Sequence, residues 1–346
     1  MKPSQVMETI RESMKLVRDT QGKERPPALF IWGLPGIGKS SVVRQATELE
    51  KIGFLDTRLL HADPTDGKGI PDVKGDFAVW KKTEDIPTQK LVDAGRILEY
   101  GVWFLDEFNL AKPAVQGAFY QALLDHKLGL DDIAAGWLIV AAGNKKTEAY
   151  NVYELPAPCK NRFIHISFDL DFDEWETYAL RNRFNSDIIA FHHSTGNKYL
   201  YNYDSNRVED AFPTPRTWEF VSQIMRIYSG DKVRSLIRGA VGEGAETMLF
   251  QFMKHKEKLP SLDKILAGED LIPTDPDILY LVISGLISRF SNEPKIAERV
   301  TEYSLKLDPT FMTFLVRSMI KVNLNAVRKT KSWKAFCDDY RDLLLC

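Results

Sequence analysis

Apolar side chains return every three or four positions along residues 4–19, at Val6, Ile10, Met14 and Val17, and this spacing predicts a short amphipathic helix. A polar linker, Gln21-Gly22-Lys23-Glu24-Arg25, follows. From residue 27 to about residue 168 the pattern changes, and short apolar runs alternate with helical stretches. The runs are Ala28–Trp32, Thr57–His61, Val102–Leu105, Trp137–Ala141 and Phe163–Phe168. Runs of strand length separated by long connections predict an α/β fold, a five-stranded parallel sheet between helices. From residue 171 the strand signal stops and helical periodicity takes over, as in Asp173–Arg183, Thr217–Tyr228 and Glu246–Lys256. A Pro-bearing segment, Leu259–Thr274, separates a last helical block, 276–345. Within that block Asp277–Phe290 is nearly all apolar, and it reads as a buried helix because it is too short for a membrane span. The expected boundaries are an N-terminal helix at 1–22, an α/β domain at 23–168, an α-helical domain at 169–260 and a helical extension at 261–346. Neither an internal repeat nor a low-complexity tract interrupts the chain.

Composition changes this picture little. A length of 346 residues suggests about two domains. Hydrophobic content of 44% with 27% charged residues is that of an ordinary globular protein. The formal net charge of −2 provides no basic field for nucleic acid or an anionic membrane, so both are disfavoured as partners. Three cysteines, Cys159, Cys337 and Cys346, form no C-x-x-C pair, which argues against a disulfide framework and against a zinc site. The N-terminal MKPSQVMETIRESMK contains acids and lacks an apolar secretory core, so a cytoplasmic location is expected.

The first predicted strand runs into Gly33-Leu34-Pro35-Gly36-Ile37-Gly38-Lys39-Ser40, which fits G-x-x-x-x-G-K-S/T without a gap. Glycines let successive backbone N–H groups turn inward on an anion, and the following helix adds its positive end. In that role Gly33, Pro35, Gly36, Ile37, Gly38, Lys39, Ser40 and Ser41 would hold a nucleotide triphosphate, expected to be ATP. Lys39 would reach the β- and γ-phosphates, and the Ser40 hydroxyl would bind Mg²⁺.

A phosphate loop alone does not separate kinases, GTPases and motor ATPases. The run Val102–Leu105 ends in Asp106-Glu107. An acid at the tip of a buried strand beside the loop can hold Mg²⁺, and a second acid can polarise a water for attack on the γ-phosphate. Phosphoryl transfer to a small molecule has no use for that water, so Glu107 favours hydrolysis. The run Trp137–Ala141 leads through Ala142-Gly143 to Asn144, whose amide would reach between the γ-phosphate and the water. The Pro-fixed segment Leu155-Pro156-Ala157-Pro158-Cys159-Lys160-Asn161-Arg162 places an arginine before the fifth strand. There it would face a neighbouring subunit and stabilise charge on the transferring phosphoryl group. The same tripeptide recurs at Asn182-Arg183-Phe184, where Arg183 ends a helix; Arg162 ranks first, and Arg183 is left as a salt-bridge candidate. In Phe212-Pro213-Thr214-Pro215-Arg216-Thr217-Trp218, Thr214 would cap and Pro215 would start a helix, leaving Arg216 in its first turn. A cation is unfavourable there unless an external anion offsets it; an ordinary surface arginine is the simpler alternative.

Taken together, GLPGIGKSS, VWFLDEFN, AAGN, LPAPCKNRF and PTPRTW resemble the AAA+ ATPases, and within them the MoxR-like branch, over roughly residues 27–260. The resemblance implies an AAA+ P-loop domain followed by an all-α lid, with the extension 261–346 beyond it. It makes Asn144 sensor 1, Arg162 the arginine finger and Arg216 sensor 2. It implies ATP and Mg²⁺ as cofactors and a homo-oligomer, usually a hexameric ring with ATP between subunits. It implies a chaperone-like remodelling motor, often beside a protein partner carrying a von Willebrand factor A domain. The family's insertion before the acidic strand would be Asp63–Gln89, with Gly67, Gly69, Pro71 and Gly75. Two positions depart from the pattern: AAGN stands where many members have ATQN, and Asn161 replaces the usual Asp. An assembly scaffold with little turnover and a nucleic-acid-dependent motor are the alternative readings.

Weaker candidates complete the list of polar clusters. His61 and His192-His193 lack a ligand set at metal spacing and read as ordinary polar residues. Lys254, Lys256 and Lys258 read as a solvated helical surface. Arg328, Lys329, Lys331 and Lys334 with Trp333 form a local basic patch, a weak pointer to an acidic partner.

Overall fold

Helix α1 (Pro3–Asp19) buries Val6, Ile10, Met14 and Val17, the four positions of the predicted stripe. It packs on helix α2 (Lys39–Glu50). Both Arg11 and Arg18 reach the end of α2: Arg11 Nε donates to Glu50 Oε1 (2.8 Å) and Arg18 Nη1 to Glu50 Oε2 (2.9 Å). Each fully buried aliphatic side chain contributes about 1.5–3 kcal/mol, so the stripe, not the exposed ion pairs, holds α1 in place. The computed structural model describes residues 1–63, 65, 69–74, 77–81, 84–145, 152–203, 210–333 and 336. The chain divides into two units, Met1–Asp171 and Phe172–Cys346.

The first unit is built on five parallel strands: β1 (Ala28–Trp32), β2 (Gly53–Arg58), β3 (Gly101–Asp106), β4 (Trp137–Gly143) and β5 (Phe163–Ser167). They lie side by side in the order β2-β3-β4-β1-β5. The interior strands are buried almost from end to end, the expected state of parallel strands covered on both faces, and this made them legible as unbroken apolar runs. On one face Phe30, Trp103, Leu105, Phe108, Phe119, Ile139 and Phe163 form the core, with helix α3 (Pro113–Asp125) against it. The Phe30 and Phe163 rings meet edge to face at 5.1 Å between centroids.

The edge strand β2 starts earlier than its apolar pattern suggests. The expected strand Thr57–His61 is wrong at both ends, because Leu59–His61 form a single 3₁₀ turn. Gly53 pairs with Gly101, and the Trp137 indole lies across both. A Cβ on Gly53 would stand 2.8 Å from that ring, and one on Gly101 2.7 Å. The strand therefore begins where glycine lets the indole in. Within the expected insertion, Ile70–Lys74 and Phe77–Lys81 pair as an antiparallel ribbon. Gly69 and Pro71 are described, whereas Gly67 and Gly75 lie outside the described residues.

Among the described residues the second unit is helical throughout. Its helices are α4 (Phe172–Arg181), α5 (Ser186–Ser194), α6 (Pro215–Ile227), α7 (Lys232–Met253), α8 (Leu262–Ala267), α9 (Pro276–Asn292), α10 (Ala297–Ser304) and α11 (Pro309–Arg328). Trp175, Phe191, Trp218 and Leu249 share one core with Val282, Phe290, Tyr303 and Leu315, so segments 169–260 and 261–346 are packed together. Helix α9 is buried in that core, and no described helix is long and apolar enough to cross a membrane. Helix α7 is broken at Gly242 (φ 79°), where a Cβ would come 2.7 Å from the Ala211 carbonyl oxygen.

Two expectations for this unit, those for His192 and Arg183, are corrected. His192 is not an ordinary polar residue: it is wholly buried beside Trp218 and Trp175, with centroids 4.5 and 4.9 Å away. Neither ring nitrogen has a hydrogen-bond partner among the described residues. Burial, with a smaller contribution from neighbouring His193, pushes its pKa down to about 3. Lys254, Lys256 and Lys258 are exposed, as expected of a solvated surface, but they lie in a 3₁₀ turn, where Lys256 Nζ also pairs with Asp187 Oδ2 at 2.9 Å. Arg183 forms no ion pair among the described residues; its backbone (φ 53°) closes the turn after α4. The buried Glu176 is held below the carboxylate range, at about 2. Burial opposes this, and the bond and charge of His193 with the charge of Lys321 outweigh it. Cys159 is a buried free thiol, while Cys337, Cys346 and Lys334 lie outside the described residues.

Candidate nucleotide site

The loop between β1 and α2 has the backbone its glycines foretell. Gly36 (φ 75°) and Gly38 (φ 102°) are left-handed, and α2 begins at Lys39 with no side chain capping its first turn. Gly33 is required for a different reason: a Cβ there would meet Ile37 Cδ1 at 2.8 Å and the Phe168 carbonyl oxygen at 3.0 Å. Ile37 is buried beneath the loop, while Pro35, Ser40 and Ser41 are partly or fully exposed along it. An uncapped helix end behind a curled loop suits an anion, so these residues fit a nucleotide phosphate chain.

Lys39 Nζ donates to the carbonyl oxygens of Gly33 (2.6 Å) and Leu34 (2.9 Å) and to Asn144 Oδ1 (2.8 Å). The strand order explains that last bond. Strand β4 lies between β1 and β3, and Gly143 stands beside Trp32, so Asn144 leaves the sheet next to the loop. On the other side of β4, Leu105 pairs with Ala141, which brings Asp106-Glu107 to the same edge. Two strand spacings, about 10 Å, separate the loop's strand from the acidic one. The sheet thus brings Lys39, Asn144, Asp106 and Glu107 together at its carboxyl edge.

The two acids differ. Asp106 Oδ1 accepts the Glu107 N–H at 2.9 Å, which orients that carboxylate. Glu107 is in the left-handed region (φ 55°), uncommon for a side-chain-bearing residue, and its carboxylate has no partner among the described residues. Ser40 and Asp106 are the pair suited to Mg²⁺ by donor chemistry, a hydroxyl and a carboxylate.

Arg162 is set apart from this edge. Phe163 pairs with Ala28 and Ser167 with Trp32, so Arg162 stands at the opposite end of β5 from the loop. Six residues at about 3.3 Å each put roughly 20 Å between Arg162 and Gly33 along the sheet. Arg162 is exposed, and its guanidinium makes no bond among the described residues. Arg216 belongs to the second unit, on the exposed first turn of α6. Thr214 caps that helix by accepting the Thr217 N–H (3.1 Å), and Pro215 occupies its first position.

Two residues near the edge escaped the sequence reading. Asn109 is 2% exposed and binds the backbone of Asn144 through both ends of its carboxamide. It lay in the run VWFLDEFN, but nothing local marks its partner. Asp56, on β2, has a buried oxygen with no hydrogen-bond partner among the described residues. Its pKa is raised, first by burial and then by the charge of Asp106. An acid interrupting the apolar pattern Phe54-Leu55-Asp56 was its only signal.

A parallel sheet in this order, a phosphate loop after β1, paired acids after β3 and an amide after β4 define the AAA+ fold. Residues 28–184 match the AAA domain, dynein-related subfamily. No curated protein sequence matches the chain. Among solved structures it is similar to Thermotoga maritima RuvB, described as a Holliday junction branch migration motor, at 14% identity and a TM-score of 0.36, covering 81% of each chain. A point mutant of RuvB from the same organism aligns over 95% of this chain and 88% of its own, at 13% identity and a TM-score of 0.34.

Proposed function

We propose that this chain is a ring-forming ATPase that hydrolyses ATP between subunits and uses the turnover to remodel a partner protein. The observation that carries the reading is the Glu107 carboxylate, without a partner among the described residues, at the sheet edge that also presents Lys39 and Asn144. Lys39 and the loop N–H groups bind the phosphates. Glu107 orients the attacking water and takes its proton, while Asn144 reads the γ-phosphate from between them. Ser40 and Asp106 would hold Mg²⁺, which neutralises charge on the phosphate oxygens when bound. Arg162 serves the neighbouring subunit's ATP, since its own loop lies a full strand away. Arg216, on a helix first turn and without an ion pair among the described residues, is the second γ-phosphate reader.

The motifs that resemble the MoxR-like branch favour a protein as the remodelled target, with a von Willebrand factor A domain as the expected partner module. The formal net charge of −2 favours protein over nucleic acid as well. Steady-state ATPase activity against protein concentration tests the reading, because activity per subunit should rise as rings assemble. Glu107→Gln should abolish turnover and leave ATP binding within about twofold of wild type. Persisting turnover in that variant would remove Glu107 from the mechanism.

A further inference from the structure

We propose that Asn109 is a positioning residue that joins the acidic loop to the γ-phosphate reader, so that Glu107 and Asn144 are held as one unit. The proposal rests on the ATPase reading above. Strand β4 ends at Gly143, so the Asn144 peptide lies just past its paired residues. The Asn109 side chain supplies what a neighbouring strand otherwise would. Its Nδ2 donates to the Asn144 carbonyl oxygen at 2.7 Å, and its Oδ1 accepts the Asn144 N–H at 3.2 Å. Both ends of the carboxamide are thus engaged by the backbone of one residue, in a site closed to water.

The fit leaves little room for alternatives. A Cβ at position 143 would overlap Asn109 Oδ1, so glycine is the residue that lets the carboxamide lie flat on the strand end. This gives a physical reason for the glycine in AAGN. Asn109 is itself anchored, since its carbonyl oxygen accepts the Tyr153 N–H at 2.8 Å. One residue before it, the Phe108 N–H donates to the Ala142 carbonyl oxygen at 2.9 Å. The loop carrying Glu107 is thereby fastened to the tip of β4 at two successive residues. From Asn144 the connection continues to Lys39 through the 2.8 Å side-chain bond. A base, an amide and a lysine that would serve the same phosphate are linked through the protein's own hydrogen bonds.

The tether has a catalytic consequence, because a displacement of about 1 Å at a reacting centre can cost on the order of 100-fold in rate. Asn109→Ala removes both bonds. Asn109→Asp keeps the size and one acceptor but sets a carboxylate oxygen against the Asn144 carbonyl; Asn109→Ser keeps a single donor. Three measurements decide the matter on the full-length chain. Backbone amide exchange at Asn144, followed without nucleotide, should speed up at least tenfold in Asn109→Ala. The kcat of Asn109→Asp should fall by about 100-fold while KM for ATP stays within about twofold. The Asn109→Ala/Asn144→Ala double variant should be no slower than Asn144→Ala alone, because coupled residues lose their effect once.

Unchanged exchange at Asn144, or single losses that multiply in the double variant, would overturn the proposal. A rise in KM matching the fall in kcat/KM would also overturn it, since kcat would then be unchanged and only substrate binding lost. If Asn109→Asp does not fold, Asn109→Ser carries the same kinetic test. Absence of turnover in the wild-type chain would instead defeat the ATPase reading, and the exchange measurement would still decide whether the tether exists.

Discussion

Replacing Arg162 by alanine tests the proposal that one subunit's site depends on another. Within one chain Arg162 precedes β5 while the phosphate loop follows β1, and the parallel register Ala28–Phe163 to Trp32–Ser167 sets them at opposite ends of the sheet. The separation of about 20 Å exceeds what an arginine side chain spans, so Arg162 cannot reach its own γ-phosphate. Removal of an arginine that stabilises the transferring phosphoryl group costs about 10³–10⁵ in rate, roughly 4–7 kcal/mol of barrier. Arg162→Ala should therefore lose nearly all turnover and keep ATP affinity within about twofold, as read by titration with a fluorescent ATP analogue.

The decisive assay mixes this variant with Glu107→Gln subunits. Each is inactive by itself, yet an interface with an intact Glu107 on one side and an intact Arg162 on the other is complete. Random assembly of equal amounts makes about one quarter of the interfaces complete, so the mixture should recover on the order of a quarter of wild-type activity. Recovery would be absent if Arg162 acted within its own subunit. Mixed rings verified by crosslinking that remain inactive would refute the geometric argument. Undiminished turnover of Arg162→Ala by itself would refute it as well.

Acid should unfold the helical unit through His192. Its pKa of about 3 lies below the ordinary 6.5, so below pH 6.5 the unfolded chain binds the extra proton and stability falls with falling pH. The slope is about 1.4 kcal/mol per pH unit, or about 2 kcal/mol lost at pH 5, and Glu176 adds its own loss only below its ordinary pKa of 4.5. Urea unfolding at pH 7 and pH 5 should show this loss in the wild-type chain and a much smaller one in His192→Phe; equal losses in both would sink the account. Duplex or single-stranded DNA at low salt should leave the ATPase rate unchanged, whereas a stimulation with a steep salt dependence would point to a nucleic-acid motor.

Much of the site was legible because its chemistry is written locally. A phosphate loop needs glycines at fixed spacing for left-handed turns, and Gly36 and Gly38 adopt them. The capped start of α6 is equally local, since Thr214 finds its partner three residues on. The stripe on α1 was readable because one face of a helix repeats at a short interval. In each case the residues that interact are near neighbours in the chain.

Illegibility followed distance along the chain. The start of β2 depends on Trp137, whose indole covers Gly53 and Gly101 from another strand. His192 looked polar beside His193, but helices remote in sequence close over it. The break at Gly242 answers to the carbonyl of Ala211. Asn109 and Asn144 are 35 residues apart, and no local spacing announces two bonds between them.

The sequence by itself determined that a glycine loop at Gly33–Ser40 would run from a strand into a helix, that acids would follow one strand and an amide another, and that helices would succeed the sheet. The tertiary structure decided which strand lies between which. With β4 between β1 and β3, Asn144 emerges between Lys39 and Glu107; with β5 parallel to β1, Arg162 is carried to the far end. Both follow from hydrogen bonding between strands distant in the chain, whose order and direction no single run of residues specifies.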